Sequence, residues 1–287
     1  MTWADLDAQL STVAGTVSVY AGRLTGPPAY TREADATHYA ASTMKVAVLT
    51  ALYRAAEAGT LDLDAPVPVV NDFASARPDA PRFGCARDYD NDGAVWDRLG
   101  GRASLRWLAH RMIVRSSNLA TNIVLGHLGT PAVAEVWTLA GARHSVTGRG
   151  IEDFAARDAG ITNLVTAADL AALLGAIARG ASEPGPLAAP AGCAAMLAVL
   201  FAQEHHEDLA AGLPPGTRIA HKNGWVHGIR HGVGVVFPDD APPYALAVCT
   251  TTTTPAPADP QSTDDAARRL LAHISATTWS TRQTLTP

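Results

Sequence analysis

A serine three residues ahead of a lysine, at the head of an apolar run, is where this chain is best equipped for chemistry. The stretch Tyr39 to Gly59, YAASTMKVAVLTALYRAAEAG, carries Ser42 and Lys45, and its Met44, Val46, Val48, Leu49 and Leu52 suit a helix buried on most sides. Residues three apart share a helix face, so the Lys45 amine can reach the Ser42 hydroxyl. A serine hydroxyl is a weak nucleophile until a base takes its proton, and a desolvated lysine is such a base. At a first helical turn an oxyanion would also meet the positive field of the N-terminus. Alone, the pair equally fits a helix N-cap followed by a solvated lysine, because S-x-x-K is a common chance match.

Two further polar signals sit where an apolar pattern breaks. Ser116-Ser117-Asn118 falls between two helical stretches, Ser104 to Val114 and Asn118 to Leu128. Lys222-Asn223-Gly224 directly follows a short strand, Arg218 to His221, and precedes Trp225. Two lysines facing one pocket repel each other's charge, so at least one should have a depressed pKa and accept a proton. Lys222 with Arg230 or His231 would form a positive patch suited to a substrate carboxylate.

The elements that must position these groups follow from periodicity. A short helix is expected over residues 5 to 15, then a strand at Thr16 to Tyr20 (TVSVY). Residues 21 to 36 read as a turn, and the Pro-, Asp- and Arg-rich stretch from Thr60 to Arg98 as an irregular surface excursion. Helices are expected at Pro131 to Leu139, Thr166 to Ala178 and Ala189 to Phe201, with a long loop over Gly141 to Asn163. Strands at Gly232 to Phe237 and Tyr244 to Thr250 and a closing helix at Ser262 to Thr278 complete the chain. The order of strand, many helices, strands and helix requires both chain ends to meet in one sheet. The expected fold is therefore α/β, with an α/β lobe over about 1–60 and 214–287, an all-α lobe over about 61–213, and a cleft between them.

With 287 residues, 47% of them hydrophobic and 17% charged, the chain can bury a large core. Its net charge of −5 argues against a nucleic-acid partner. No apolar run reaches the length of a membrane span, and the first residues carry acids early with no apolar core of a secretory signal, which makes a cytoplasmic location the default. Cys85, Cys193 and Cys249 are odd in number and far apart, as free buried thiols would be. His205-His206 lacks the H-E-x-x-H spacing, and His221, His227 and His231 are expected to shape a cleft rather than bind metal. No metal or cofactor is expected, and no G-x-S-x-G elbow is present.

Taken together, S-x-x-K, S-x-N and K-x-G in this order resemble the class A β-lactamases and their penicillin-binding relatives, whose hallmarks are S-x-x-K, S-D-N and K-T-G. The resemblance runs over nearly the whole chain and includes RMIVRSSNLATNIVLGHLG, RIAHKNGWVHGIRHGVGVVF and NLVTAADLAALL. Two motif positions depart from the family: Ser117 stands for its Asp, and Asn223 for its Thr or Ser. The resemblance implies a β-lactamase-like fold, an antiparallel sheet from both chain ends flanked by helices, and an acyl-enzyme formed at Ser42. Lys45 would be the base or the partner of the base. Ser116, held by Lys222 across the cleft, would relay a proton to the leaving nitrogen, and Asn118 would bind a substrate amide. The N–H groups of Ser42 and Trp225 would bind the oxyanion, with Gly224 allowing close approach. The family's deacylating Glu, followed by Leu-Asn, has Glu152 as its best counterpart and Asp153 as the runner-up, but no Leu-Asn follows. The expected substrate is a small amide, lactam or ester, with a carboxylate. True β-lactam hydrolysis through Glu152, a penicillin-binding sensor without turnover, and an amidase like the glutaminases of this fold are the alternatives.

Overall fold

The structure, a computed structural model, describes residues 2–252 and 260–285, with the side chains of these except 260–263. After α1 (Trp3–Leu10) come β1 (Gly15–Arg23), β2 (Tyr30–Arg32) and β3 (His38–Tyr39). A 3₁₀ turn, Ala41–Met44, leads into α2 (Lys45–Glu57). The middle of the chain holds β4 (Pro66–Pro68), α3 (Gly93–Trp96), β5 (Arg102–Ser104), α4 (Leu105–Val114), α5 (Asn118–Leu128), α6 (Thr130–Leu139), β6 (Val146–Thr147) and α7 (Phe154–Asp158). β7 (Asn163–Val165), α8 (Ala167–Gly180) and α9 (Pro190–Phe201) follow, and the chain returns through β8 (Arg218–Val226), β9 (Ile229–Phe237), β10 (Tyr244–Thr252) and α10 (Pro260–Ser280).

The main sheet runs β2-β1-β10-β9-β8 and is antiparallel throughout. β1 and β10 pair from Gly15 opposite Thr252 to Arg23 opposite Tyr244, so the two ends of the chain do meet at its centre. Both faces of β10 are covered. Tyr244, Leu246 and Val248 join Leu6, Leu10, Leu271 and Ile274 on one side, while Ala245, Ala247 and Cys249 join the larger helical core on the other. This two-sided burial explains why YALAVCT reads as continuously apolar, and the period-2 split assigns the small side chains to the face that α8 approaches.

Several boundaries differ from the sequence reading, for physical reasons. β8 and β9 are each nine residues long, so Lys222-Asn223-Gly224 lies inside a strand and not after its end. The polar triplet interrupts the apolar pattern, but its backbone stays paired, Lys222 opposite Val233 and Gly224 opposite His231. Ser42 lies on the 3₁₀ turn, one step ahead of the α-helix proper. The 60–98 stretch is mostly irregular, as expected, apart from β4, α3 and a single turn at Arg87–Tyr89. The three cysteines are buried and free. Among the described residues no helix is long and apolar enough to cross a membrane.

Candidate active site

Two buried lysines from different elements converge on one hydroxyl. Lys45, on the first turn of α2, is wholly buried, and its Nζ donates to the Ser116 carbonyl at 2.7 Å and to Asn118 Oδ1 at 3.0 Å. It also lies 3.3 Å from Ser116 Oγ. From the opposite wall Lys222 Nζ, equally buried, reaches the same Oγ at 3.1 Å and the Asn223 carbonyl at 2.7 Å. Two ammonium groups cannot comfortably share one hydroxyl in a dry interior. Burial draws Lys45 down to about 7, an effect that the charges of Asp90, Cys85 and Glu152 partly oppose. Burial, reinforced by the charge of Lys45, takes Lys222 well below the usual lysine range. A neutral Lys45 has two N–H bonds for its two obligate acceptors, the Ser116 carbonyl and Asn118 Oδ1. Its lone pair is then left for the Ser116 hydroxyl, 3.3 Å away.

Ser116 is placed by an unusual backbone, with φ of +60° between α4 and α5. Such a non-glycine conformation costs on the order of 1–3 kcal/mol and must be held by its surroundings. The holder is Asp90, whose Oδ2 accepts from the Ser117 hydroxyl at 3.1 Å and from Leu119 N at 2.8 Å. Ser117 in turn caps α5 by accepting from Ala120 N at 3.1 Å. A carboxylate from the 60–98 excursion thus anchors the turn at Ser117, the position where the motif lacks its acid.

Ser42 is half-buried and lines a hollow of about 450 Å³, together with Tyr39, Asn118, Trp225, Ile229 and Arg230. Its hydroxyl makes no hydrogen bond to Lys45, whose amine is turned to Ser116 and Asn118. The preceding residue, Ala41, has φ of +45°, a second strained backbone at the site. Gly224 packs so closely on this turn that a Cβ there would stand 3.0 Å from both Ser42 N and Thr43 N. β8 and the 3₁₀ turn are therefore in backbone contact, and Ser42 and Trp225 both line the hollow.

Glu152 joins the group. Its Oε2 accepts from Ala86 N at 2.8 Å, and its Oε1 lies 3.4 Å from Asn118 Nδ2, on the amide whose Oδ1 holds Lys45. Its φ of +66° is a third left-handed backbone at the site. The peptide before it is clamped by Asn122, which accepts from Ile151 N and donates to Ile151 O, both at 2.8 Å. Asp153 turns away: it caps α7 and accepts from Ser75 Oγ and Ala76 N at 2.7 Å. Asn122 lies four residues after Asn118 on the same face of α5, a polar repeat on a buried helix that marks it in hindsight.

The remaining expected binding residues take other partners. Asn223 is buried, and its amide donates to Asp208. Arg230 is 1% exposed and makes a two-pronged pair with Asp208, at 2.8 and 3.1 Å. It adds a bond to Asp264 at 2.6 Å and stacks 5.1 Å over the Trp225 ring. His231 Nε2 lies 2.8 Å from the Tyr39 carbonyl and its Nδ1 accepts from Thr250 N, so the ring is neutral with its proton on Nε2; burial lowers its pKa to about 4. Among the described residues no three His, Cys, Asp or Glu side chains are grouped to hold a metal ion. His205 packs edge-on against Trp225, and the His206 ring lies tilted against His221.

Residues 2–281 match the sequence profile of the β-lactamase enzyme family. The chain belongs to that family. Family and fold make it a serine hydrolase. Among solved structures, this β-lactamase-family chain superposes on the β-lactamase of Sphaerobacter thermophilus with a TM-score of 0.78 at 22% identity, over 100% of this chain and 99% of the other. The class A β-lactamase of Mycobacterium abscessus gives a TM-score of 0.78 at 17% identity over 98% of both chains. PBP-A gives 0.75 at 22% identity, over 96% of this chain and 94% of that one. At these identities the likeness establishes the fold. A comparison with curated proteins gives no match.

Proposed function

We propose that this chain hydrolyses a small amide, lactam or ester through an acyl-enzyme on Ser42. The observation that carries the reading is the meeting of two buried lysines on the Ser116 hydroxyl, joined through Asn118 to the hollow that Ser42 lines. Neutral Lys45 takes the Ser42 proton as Oγ attacks the carbonyl. The oxyanion is met by the N–H groups of Ser42 and Trp225. Ser42 N has no backbone acceptor among the described residues and is free for this. Ser116, bonded to both lysines, passes a proton to the leaving group, and Asn118 binds the substrate amide. Glu152 then activates the water that releases the acyl group. A PBP-A variant has been solved as an acyl-enzyme with penicillin G, which makes penicillin a reasonable first probe here.

A second reading is slow release, as in a penicillin-binding protein. It is favoured because both Glu152 oxygens already face protein donors, Ala86 N and Asn118 Nδ2, leaving less freedom to hold a water. Intact-mass measurement of the protein with penicillin G and with its methyl ester tests both. A mass gain that vanishes in Ser42→Ala supports the serine chemistry, and an equal gain in Ser42→Ala sinks it. Persistence of the adduct for hours, without nitrocefin turnover, selects the slow-release reading.

A further inference from the structure

A substrate carboxylate in this hollow would look to Lys222, Asn223 and Arg230, and each of them is occupied. Lys222 is fully buried and donates to Ser116 Oγ and the Asn223 carbonyl. The Asn223 amide donates to Asp208. Arg230 directs Nε and Nη2 at Asp208 and Nη1 at Asp264, and Nη2 also lies 3.5 Å from Glu207. Arg268 shares this cluster, 2.7 Å from Asp264 and 3.8 Å from Asp265. Four acids, Glu207, Asp208, Asp264 and Asp265, are thus set against the two guanidiniums of Arg230 and Arg268.

Exposure decides which partner a ligand meets. Arg230 is sealed at 1% exposed, whereas the Asp264 side chain is 35% exposed and lines the hollow beside Trp225 and Ile229. Residues 253–263 contain no Lys, Arg or His, so their sequence brings no further cation. An anion arriving here would have to break an Arg230 pair and stand against Asp264, leaving a buried charge uncompensated. An uncharged group meets the Trp225 ring, and a cationic one gains the ring and the surplus negative charge of the cluster, Asp264 itself being paired with Arg230 and Arg268.

We infer that the end of the hollow formed by Trp225, Arg230 and Asp264 accepts an uncharged or cationic substrate group and rejects a carboxylate. The inference rests on the reading of the Ser42 hollow as the substrate site, and reverses the anionic preference that the lysine and arginine suggest in the bare sequence. It is tested in the Ser42→Ala protein by calorimetric titration with nitrocefin, which bears a carboxylate, and with its methyl ester, which does not. The ester is expected to bind at least fivefold more tightly. Adding Asp264→Asn should tighten the acid about tenfold and leave the ester within twofold. Equal or tighter binding of the acid with Asp264 intact overturns the inference, as does the absence of binding by either probe at millimolar concentration. Should the double variant not fold, the acid-to-ester ratio of Ser42→Ala alone decides. The serine reading stands or falls separately, on the mass adduct that the unaltered protein forms with penicillin G methyl ester, which carries no carboxylate.

Discussion

The close approach of β8 to the Ser42 turn can be tested with a single methyl group. In Gly224→Ala the new Cβ would stand 3.0 Å from Ser42 N and Thr43 N and 3.1 Å from Thr43 Cγ2. Relaxed contacts between such heavy atoms begin near 3.5 Å, so strand and turn must part by about 0.5 Å. Both neighbours nearest the methyl are backbone nitrogens, which no rotamer change can move. The proposed oxyanion donors lie on either side of the gap, on Ser42 and Trp225, and would separate by a similar distance. Loss of one such donor costs about 10²–10³ in rate, and a misplacement of about 1 Å about 10². Half that displacement should lower the acylation rate roughly 10- to 100-fold, with overpacking costing about 1–3 kcal/mol of stability. The assay is the pseudo-first-order rate of Ser42 adduct formation with penicillin G methyl ester, with circular dichroism to confirm folding. Gly93→Ala is the control, since a Cβ there meets nothing within 4 Å. A folded Gly224→Ala protein that acylates within twofold of the parent refutes both the contact and the placement of the oxyanion donors.

Further outcomes follow from the same geometry. The acylation rate should rise with pH through a midpoint near 7 as Lys45 loses its proton; a rate flat from pH 6 to 8 would remove Lys45 from the role of base. Asp90→Asn deletes the charge that most opposes the depression of Lys45, so the midpoint should move to lower pH, and α5 should fray as the Leu119 N bond weakens. Glu152→Gln should leave acylation within a few-fold and prolong the adduct at least tenfold, which time-resolved mass spectrometry reads directly. Burial holds His221 neutral to about 3 and His38 and His231 to about 4 in the folded chain, against about 6.5 when unfolded. Their folded pKa values are depressed, so between these limits the unfolded state binds protons that the folded state refuses, and stability falls as pH drops below about 6.5. For each of the most enclosed rings, His221 and His231, the slope is about 1.4 kcal/mol per pH unit. Urea midpoints equal at pH 7 and pH 5 would contradict this.

What the sequence disclosed, and what it hid, follows from the range of the interactions involved. The elements that carry Ser42, Lys45 and Ser116 were legible because polar residues interrupt apolar helical spacing. β1 and β10 were legible because alternation or continuous apolarity marks strands with one or two covered faces. The length of β8 was not, since pairing with β9 carries the strand through three polar residues that no local pattern would keep extended. Asp90 was hidden in a stretch that reads as surface loop, although it anchors the Ser116 turn from 27 residues before Ser117. Arg230 shows the limit most clearly. Its type suggests an anion site, but its partners Asp208 and Asp264 are 22 and 34 residues away, and only the fold brings them to it. Left-handed backbone at Ala41, Ser116 and Glu152 was equally invisible, because residues of these types rarely adopt it without tertiary support.

The pairing of the first strand with the last has a consequence in time. A ribosome adds about 5–20 residues per second, so roughly 10–35 s pass between the synthesis of position 42 and that of position 222. Throughout that interval the nascent hydroxyl has no second amine opposite it and no strand edge beside it. It is as inert as any serine in solution. On the proposed reading, reactivity arrives only with the last third of the molecule, so a newborn or truncated chain would not be trapped by a compound that acylates the finished protein.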